Sequence, residues 1–217
     1  MKTIVLASRK GGAGKTTLAV HLATEADRAG AGPVAIIDAD PMEGMSAWFA
    51  DRKLDGGPQL MDVTKVGLKA GLQAAERGGV SLVFIDTPPA ATDGIQAIIS
   101  ACDLAIIPVV PSPNDLRAIG ETLELVEGSG RPLLFVLNNA SAKAKLTGQA
   151  SRVLSRHGPV AEVVVCSRQD YRSAMIDGRA AFEVKPNSPA AKEIADLWAD
   201  VASRLTEGAK SRGKGSR

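Results

Sequence analysis

The chain has 217 residues and a mass of 22.4 kDa, the size of one α/β domain with little room for a second. Hydrophobic residues at 45% and charged residues at 23% exclude wholesale disorder and a collagen-like chain. Aromatics at 3%, with Tyr171 as the only tyrosine, argue against the stacking platforms that read single-stranded nucleic acid.

Cys102 and Cys166 lie far apart with no CxxC, and the only histidines are His21 and His157. This argues against a thiolate or imidazole metal centre and against a disulfide framework, so both cysteines read as small buried hydrophobes. No run approaches the roughly 18–20 apolar residues of a membrane span, and the apolar start at 3–7 is too short for a signal-peptide core. A cytoplasmic protein is expected. The net charge of +2 hides an asymmetry: residues 1–127 hold 11 Lys+Arg against 16 Asp+Glu, and residues 128–217 hold 15 against 8. Residues 128–161 contain no acidic residue, and the tail GAKSRGKGSR adds four cations, so a polyanionic partner is expected.

Short runs rich in Val, Ile and Leu alternate with longer helix-like stretches, the pattern of strands buried on both faces of a parallel sheet. Strands are expected at 3–7, 34–38, 82–86, 104–110, 133–138 and 160–165, with a weaker one at 59–63. A first helix over 15–29 places Leu18, Leu22 and Ala26 on one face and His21, Glu25 and Arg28 on the other, so His21 reads as a solvated residue. A helix over 115–127 follows the turn Pro111-Ser112-Pro113. A last helix over 188–205 carries the stripe Ile194, Leu197, Trp198, Val201 and Leu205, read as packing onto the domain. The domain is expected to span 1–206, with 207–217 as a basic, disordered tail.

The stretch TIVLASRKGGAGKTTLAVHLA is a strand, a glycine-rich turn and Lys15-Thr16-Thr17 opening a helix, the order of a phosphate loop. Gly11, Gly12 and Gly14 let backbone N–H groups face phosphate oxygens, the helix N-terminus adds partial positive charge and Lys15 a full one. Thr16 is the expected Mg²⁺ ligand. At the end of the second strand, VAIIDADP carries Asp38 and Asp40, two residues apart and hence on one side, where carboxylates can hold Mg²⁺ through water or orient an attacking water. The third, LVFIDTPP, ends a buried strand in Asp86, the Walker B position for a metal held through water. Pro88 and Pro89 stiffen the loop behind it.

A strict Walker A motif has Gly where this chain has Arg9 and does not require Lys10. KGGAGKTT resembles the deviant Walker A loop of the ParA/MinD family of P-loop ATPases. The resemblance implies a single-domain α/β P-loop NTPase, its mostly parallel sheet flanked by helices on both faces. It also implies nucleotide binding through Lys10, Gly11, Gly12, Ala13, Gly14, Lys15, Thr16 and Thr17, with ATP and Mg²⁺ as cofactors. Lys10 is then the lysine that reaches a partner's nucleotide in an ATP homodimer, acting as an arginine finger does. Asp40 positions the hydrolytic water, and Thr16, Asp38 and Asp86 serve the metal. Met42 stands where many relatives carry Gln.

AIIPVVPSPNDLRAI resembles the short, ParF-like subgroup, which makes the turn from Ser112 to Asp115 a dimer-interface candidate. RQDYRSAMIDGRAAFEVKPNSPAAKEI resembles the closing segment near the adenine, and Asn138 is a candidate to read the base edge. The resemblance implies nonspecific binding of duplex DNA, with Lys143, Lys145, Arg152, Arg156, Arg168, Arg172 and Arg179 as candidate phosphate contacts. It further implies a ParB-like activating partner, a nucleoid-associated location, and segregation or positioning of DNA or a protein cargo. The polar end of the chain lacks the apolar anchors of a MinD-like membrane helix, so stable membrane anchoring is not expected. The enzymatic alternative is a metabolic ATP-dependent ligase of dethiobiotin synthetase type, which needs neither Lys10 in trans nor a basic half.

Overall fold

The computed structural model describes residues 1–89 and 94–214. The described elements, in chain order, are β1 (Lys2–Leu6), α1 (Lys15–Arg28), β2 (Val34–Asp38), α2 (Gly44–Asp51), β3 (Gln59–Leu60), α3 (Leu68–Arg77), β4 (Leu82–Asp86), α4 (Ile95–Ser100), β5 (Leu104–Val109), α5 (Pro113–Glu127), β6 (Leu133–Leu137), α6 (Lys145–Leu154), α7 (Gln169–Met175), α8 (Ala181–Val184) and α9 (Pro189–Lys214). The strands form one six-stranded sheet in the order β3-β2-β4-β1-β5-β6, and every pairing is parallel.

Because side chains alternate along a strand, each strand feeds two cores. Ile4, Leu6, Ile36, Phe84 and Ile106 join α1, α2 and α7–α9 on one face. Val5, Ile37, Val83, Ile85 and Ile107 join α3–α6 on the other. The strands' C-terminal ends therefore share one edge, and the loops leaving β1, β2 and β4 carry the glycine-rich turn and the aspartates.

The structure corrects the sequence reading in places. Residues 160–165 form no strand: they run beside β6 through Ala161 N–H to Phe135 O at 2.8 Å and Val165 N–H to Leu137 O at 2.9 Å, giving only isolated bridges. Pro159 supplies no N–H, and exposed Glu162 interrupts the pairing. His21 is buried, at 1% exposure. The helix α1 lies between the sheet and α7–α9, so its polar face is covered as well; Glu25 is buried there in a two-pronged pair with Arg28 at 2.7 and 2.5 Å. The last helix keeps its predicted stripe in the core but runs past Thr206 to Lys214, through helix-favouring Glu207, Ala209 and Lys210; residues 215–217 of the expected tail lie outside the described residues. Cys102 is buried as expected, whereas Cys166 is only half-buried.

Candidate functional site

The cradle is built from the turn between β1 and α1. Gly12 and Gly14 have φ of 77° and 90°, a region that side chains other than glycine's rarely adopt. Gly14 is also the residue before α1, with no side-chain cap, and the first turn of α1 contains no acidic residue. The first N–H groups of the helix are thus left for an anion. Lys15 is 7% exposed and makes no hydrogen bond or ion pair among the described residues. Burial lowers its pKa, opposed by the charges of Asp86 and Asp40. A buried ammonium with no hydrogen-bonded partner among the described residues, beside a glycine turn and the start of a helix, is a site for a polyanion.

Opposite the cradle stand the carboxylates. Asp38 and Asp86 are register partners on β2 and β4. Asp86 is fully buried and accepts the Thr16 hydroxyl. Burial pushes its pKa up to about 6, against the hydrogen bond from Thr16 and the charge of Lys15. Asp38 accepts backbone N–H groups on both oxygens, from Asp40 at 3.1 Å and Ser46 at 2.8 Å, so it also holds the first turn of α2. Asp40 accepts Met42 N–H on Oδ1 at 3.0 Å, leaving Oδ2 without a partner among the described residues.

Among those residues no cluster of His, Cys, Asp and Glu could cage a metal. A hydroxyl beside a buried carboxylate fits Mg²⁺, which keeps several waters and takes its remaining oxygens from phosphates. Thr16 and Asp86 would hold it, with Asp38 beside them; the ion would neutralise phosphate charge.

The two limbs of the loop are secured differently. On the inner limb, Asn138 donates its amide N–H to Ala13 O at 2.7 Å and packs so closely on Gly14 that a Cβ there would collide with it. Sequence reading had offered Asn138 to the base alone; its amide nitrogen is committed to the loop, and its Oδ1 has no partner among the described residues.

The outer limb leans on α5. Arg9 N–H reaches Thr122 Oγ1 at 3.1 Å, and Lys10 Nζ reaches Asp115 Oδ2 at 2.5 Å. Asp115 is itself held at the start of α5 by Ser112, whose hydroxyl accepts Asp115 N–H at 3.1 Å. Lys10 therefore rests on its own chain's helix. Asp115 as the partner of Lys10 was not foreseen, although Ser112-Pro113-Asn114-Asp115 carries a helix-start signature.

A cavity of about 160 Å³ opens beside Gly12, Gly14 and Asn138, bounded by Cys166, Arg168 and Tyr171. Arg168 and Tyr171 are locked by Glu193, which takes the guanidinium at 2.5 and 3.0 Å and the phenol at 2.9 Å. Burial and the Glu193 charge together raise the Tyr171 pKa. The structure thus sorts the basic candidates. Arg168 is bound to Glu193, Arg179 to Asp177 at 2.5 Å, and Arg172 lies 3.4 Å from Asn139 Oδ1. Lys143, Lys145, Arg152 and Arg156 are exposed on and around α6, without an ion pair among the described residues.

This arrangement, a phosphate cradle and facing carboxylates at the C-terminal edge of a parallel sheet, defines a P-loop nucleotide-binding protein. The sequence matches the CobQ/CobB/MinD/ParA nucleotide binding domain over residues 4–181, and the chain belongs to that family: it is an ATPase of ParA/MinD type that binds ATP with Mg²⁺. It is 29% identical over 209 residues to "Maintenance of carboxysome distribution protein A" of Halothiobacillus neapolitanus, covering 92% of this chain and 95% of that one. It is 33% identical to "Protein ParA" of Rhizobium radiobacter, covering 95% and 99%. Its fold matches the septum site-determining protein MinD complexed with Mg-ADP from Pyrococcus horikoshii, with a TM-score of 0.74 at 20% identity, covering 92% and 95%. No helix among the described residues is long and apolar enough to cross a membrane.

Proposed function

We propose that the chain is a positioning ATPase: two copies enclose MgATP, the dimer binds duplex DNA without sequence preference, and a partner protein stimulates hydrolysis and release, moving DNA or a protein cargo. The observation that carries this reading is the division of labour between the two lysines. Lys15 already supplies the buried charge of the cradle, whereas Lys10 is held on the rim by Asp115. A second cation on the rim is redundant within one subunit and useful to a second one, where it would neutralise phosphate charge only when the dimer forms.

In this reading the free N–H groups of the loop and Lys15 hold the phosphates. Thr16, Asp38 and Asp86 serve Mg²⁺, and Asp40, with one oxygen uncommitted, orients the attacking water. Asn138 Oδ1 accepts from the exocyclic amine of adenine. Lys143, Lys145, Arg152 and Arg156, without an ion pair among the described residues, supply the phosphate contacts to DNA, which need cations but no base-reading groups. The similarity to proteins named for carboxysome distribution and for ParA extends over most of the chain, which favours a cargo-moving role over small-molecule metabolism.

The test is binding to random-sequence duplex DNA with MgATP, MgADP or no nucleotide, at two salt concentrations, with oligomeric state measured alongside. The expected outcome is salt-sensitive binding by an ATP dimer only. Tight ATP binding without DNA binding in any state would instead favour a metabolic enzyme.

A further inference from the structure

Helix α2 begins at the hydrolysis loop and ends against a distant part of the chain. Its start is fixed by Ser46 N–H on Asp38 Oδ2, and Gly44 packs on Thr16, where an added Cβ would lie 3.4 Å from the threonine methyl. Glu43 N–H bonds Asp40 O at 2.9 Å. At its other end Arg52 is nearly buried and donates to both oxygens of Glu183, at 2.9 and 2.6 Å, and to Gly178 O at 2.9 Å. Trp48, 2% exposed, donates its indole N–H to Arg179 O at 3.1 Å and lies under the Arg52 guanidinium. Gly178, at φ of 68°, comes so near that a Cβ there would meet Arg52 and Trp48 backbone.

Residues 178–183 continue directly from α7, whose Tyr171 and Arg172 border the cavity beside the cradle. A buried, two-pronged Arg–Glu pair fixes direction as well as distance, and burying two charges costs more than apolar packing of the same volume. The geometry points to Arg52 and Glu183 as positioning residues for ATP hydrolysis, a bridge through α2 that fixes the Asp38–Asp40 loop against the segment bordering the nucleotide cavity. This rests on the reading of Asp40 as the group that orients water.

The test pairs Arg52→Met with Glu183→Met, so that no lone charge is left buried, and compares it with Arg52→Lys and with Trp48→Phe. Melting temperature, equilibrium affinity for a fluorescent ATP analogue, steady-state kcat and KM, and amide exchange at Met42 and Ser46 are measured for each. The double variant is expected to bind the analogue within about threefold of the parent while kcat falls about tenfold and exchange at Met42 and Ser46 accelerates. Arg52→Lys should recover part of the loss, and Trp48→Phe should lower kcat about threefold even if the double variant does not fold. Unchanged kcat and exchange in a folded double variant would overturn the bridge, as would equal losses of kcat and affinity, or unchanged kcat in Trp48→Phe when the double variant does not fold. Asp40→Asn run in parallel separates the two ideas. If it hydrolyses ATP normally, the role of Asp40 falls, while amide exchange in the double variant, or in Trp48→Phe should it not fold, still decides whether Arg52 holds the loop.

Discussion

The phosphate cradle and the cavity beside it are built on different principles. The cradle side follows three strand ends, β1, β2 and β4: Asp38 and Asp86 close their strands, Asp40 stands two residues beyond β2, and the glycine turn after β1 leads into α1. The cavity wall is assembled from single residues far apart in the chain, such as Asn138 on Ala13 and Arg168 on Glu193. The first is set by sheet register. The second is held by side-chain bonds that can be removed one at a time, so the two regions should answer mutation differently.

The sharpest contrast is Lys15→Ala. Removing the buried ammonium should weaken ATP binding by at least about 100-fold, or about 3 kcal/mol, and equilibrium titration with MgATP measures it; unchanged affinity would refute the cradle. Asp40→Ala should leave ATP affinity within severalfold and lower turnover about 100-fold, trapping an ATP dimer visible by light scattering. Normal hydrolysis there would remove Asp40 from the mechanism.

At the cavity wall, Arg168→Ala should lower stability by about 1–2 kcal/mol, because Glu193 keeps only its bonds from Tyr171 and Cys166, while leaving the salt dependence of DNA binding unaltered. Lys145→Ala with Arg152→Ala should do the reverse, reducing the slope of log affinity against log salt by about 2 with little change in melting temperature. An equal effect of both on DNA would break the sorting of the cations into structural and free.

A final contrast concerns acid stability. Burial lowers the pKa of His21 to about 4 from an ordinary 6.5, although Thr17 O and Glu183 favour its charged form, and Tyr171 lies edge-on at 5.2 Å. The unfolded chain binds this proton first, so His21 contributes no penalty above pH 6.5. Stability then falls between pH 6.5 and about 4, by up to about 3 kcal/mol from this group. His21→Phe should flatten that part of the stability–pH curve in urea unfolding; an unchanged slope would show that the ring gains a proton without cost.

Much of this was legible in sequence because the information was local. A strand buried on both faces is a run of Val, Ile and Leu, so β2 and β4 carry the limits read from the sequence. The phosphate loop and DADP compress their chemistry into a few consecutive residues. What escaped was non-local. Residues 160–165 have strand composition, but pairing depends on a neighbour and on Pro159 and Glu162. The helical spacing of α1 marks a polar face, and nothing in that spacing says that α7–α9 will cover it. Charge alone made Arg168 equivalent to Lys145; only the fold pairs the first with Glu193 and leaves the second without an ion pair among the described residues.

An all-parallel sheet also has a back door. The turns entering β2, β4, β5 and β6 lie on the edge opposite the nucleotide site, laced by Ser81 N–H to Pro33 O at 2.8 Å and Asp103 N–H to Thr3 O at 2.8 Å. Among them Gly130, at φ of 63°, has no atom within 4 Å of where a Cβ would stand, and Glu127 beside it is exposed. That edge is the place for a fluorophore or a surface tether, attached through a cysteine introduced at Glu127. Cys102 is buried, with its thiol pushed up to about 12, and will stay silent toward the reagent. Cys166 is half-buried and borders the cavity beside the cradle, and is replaced first so that the label sits at residue 127 alone.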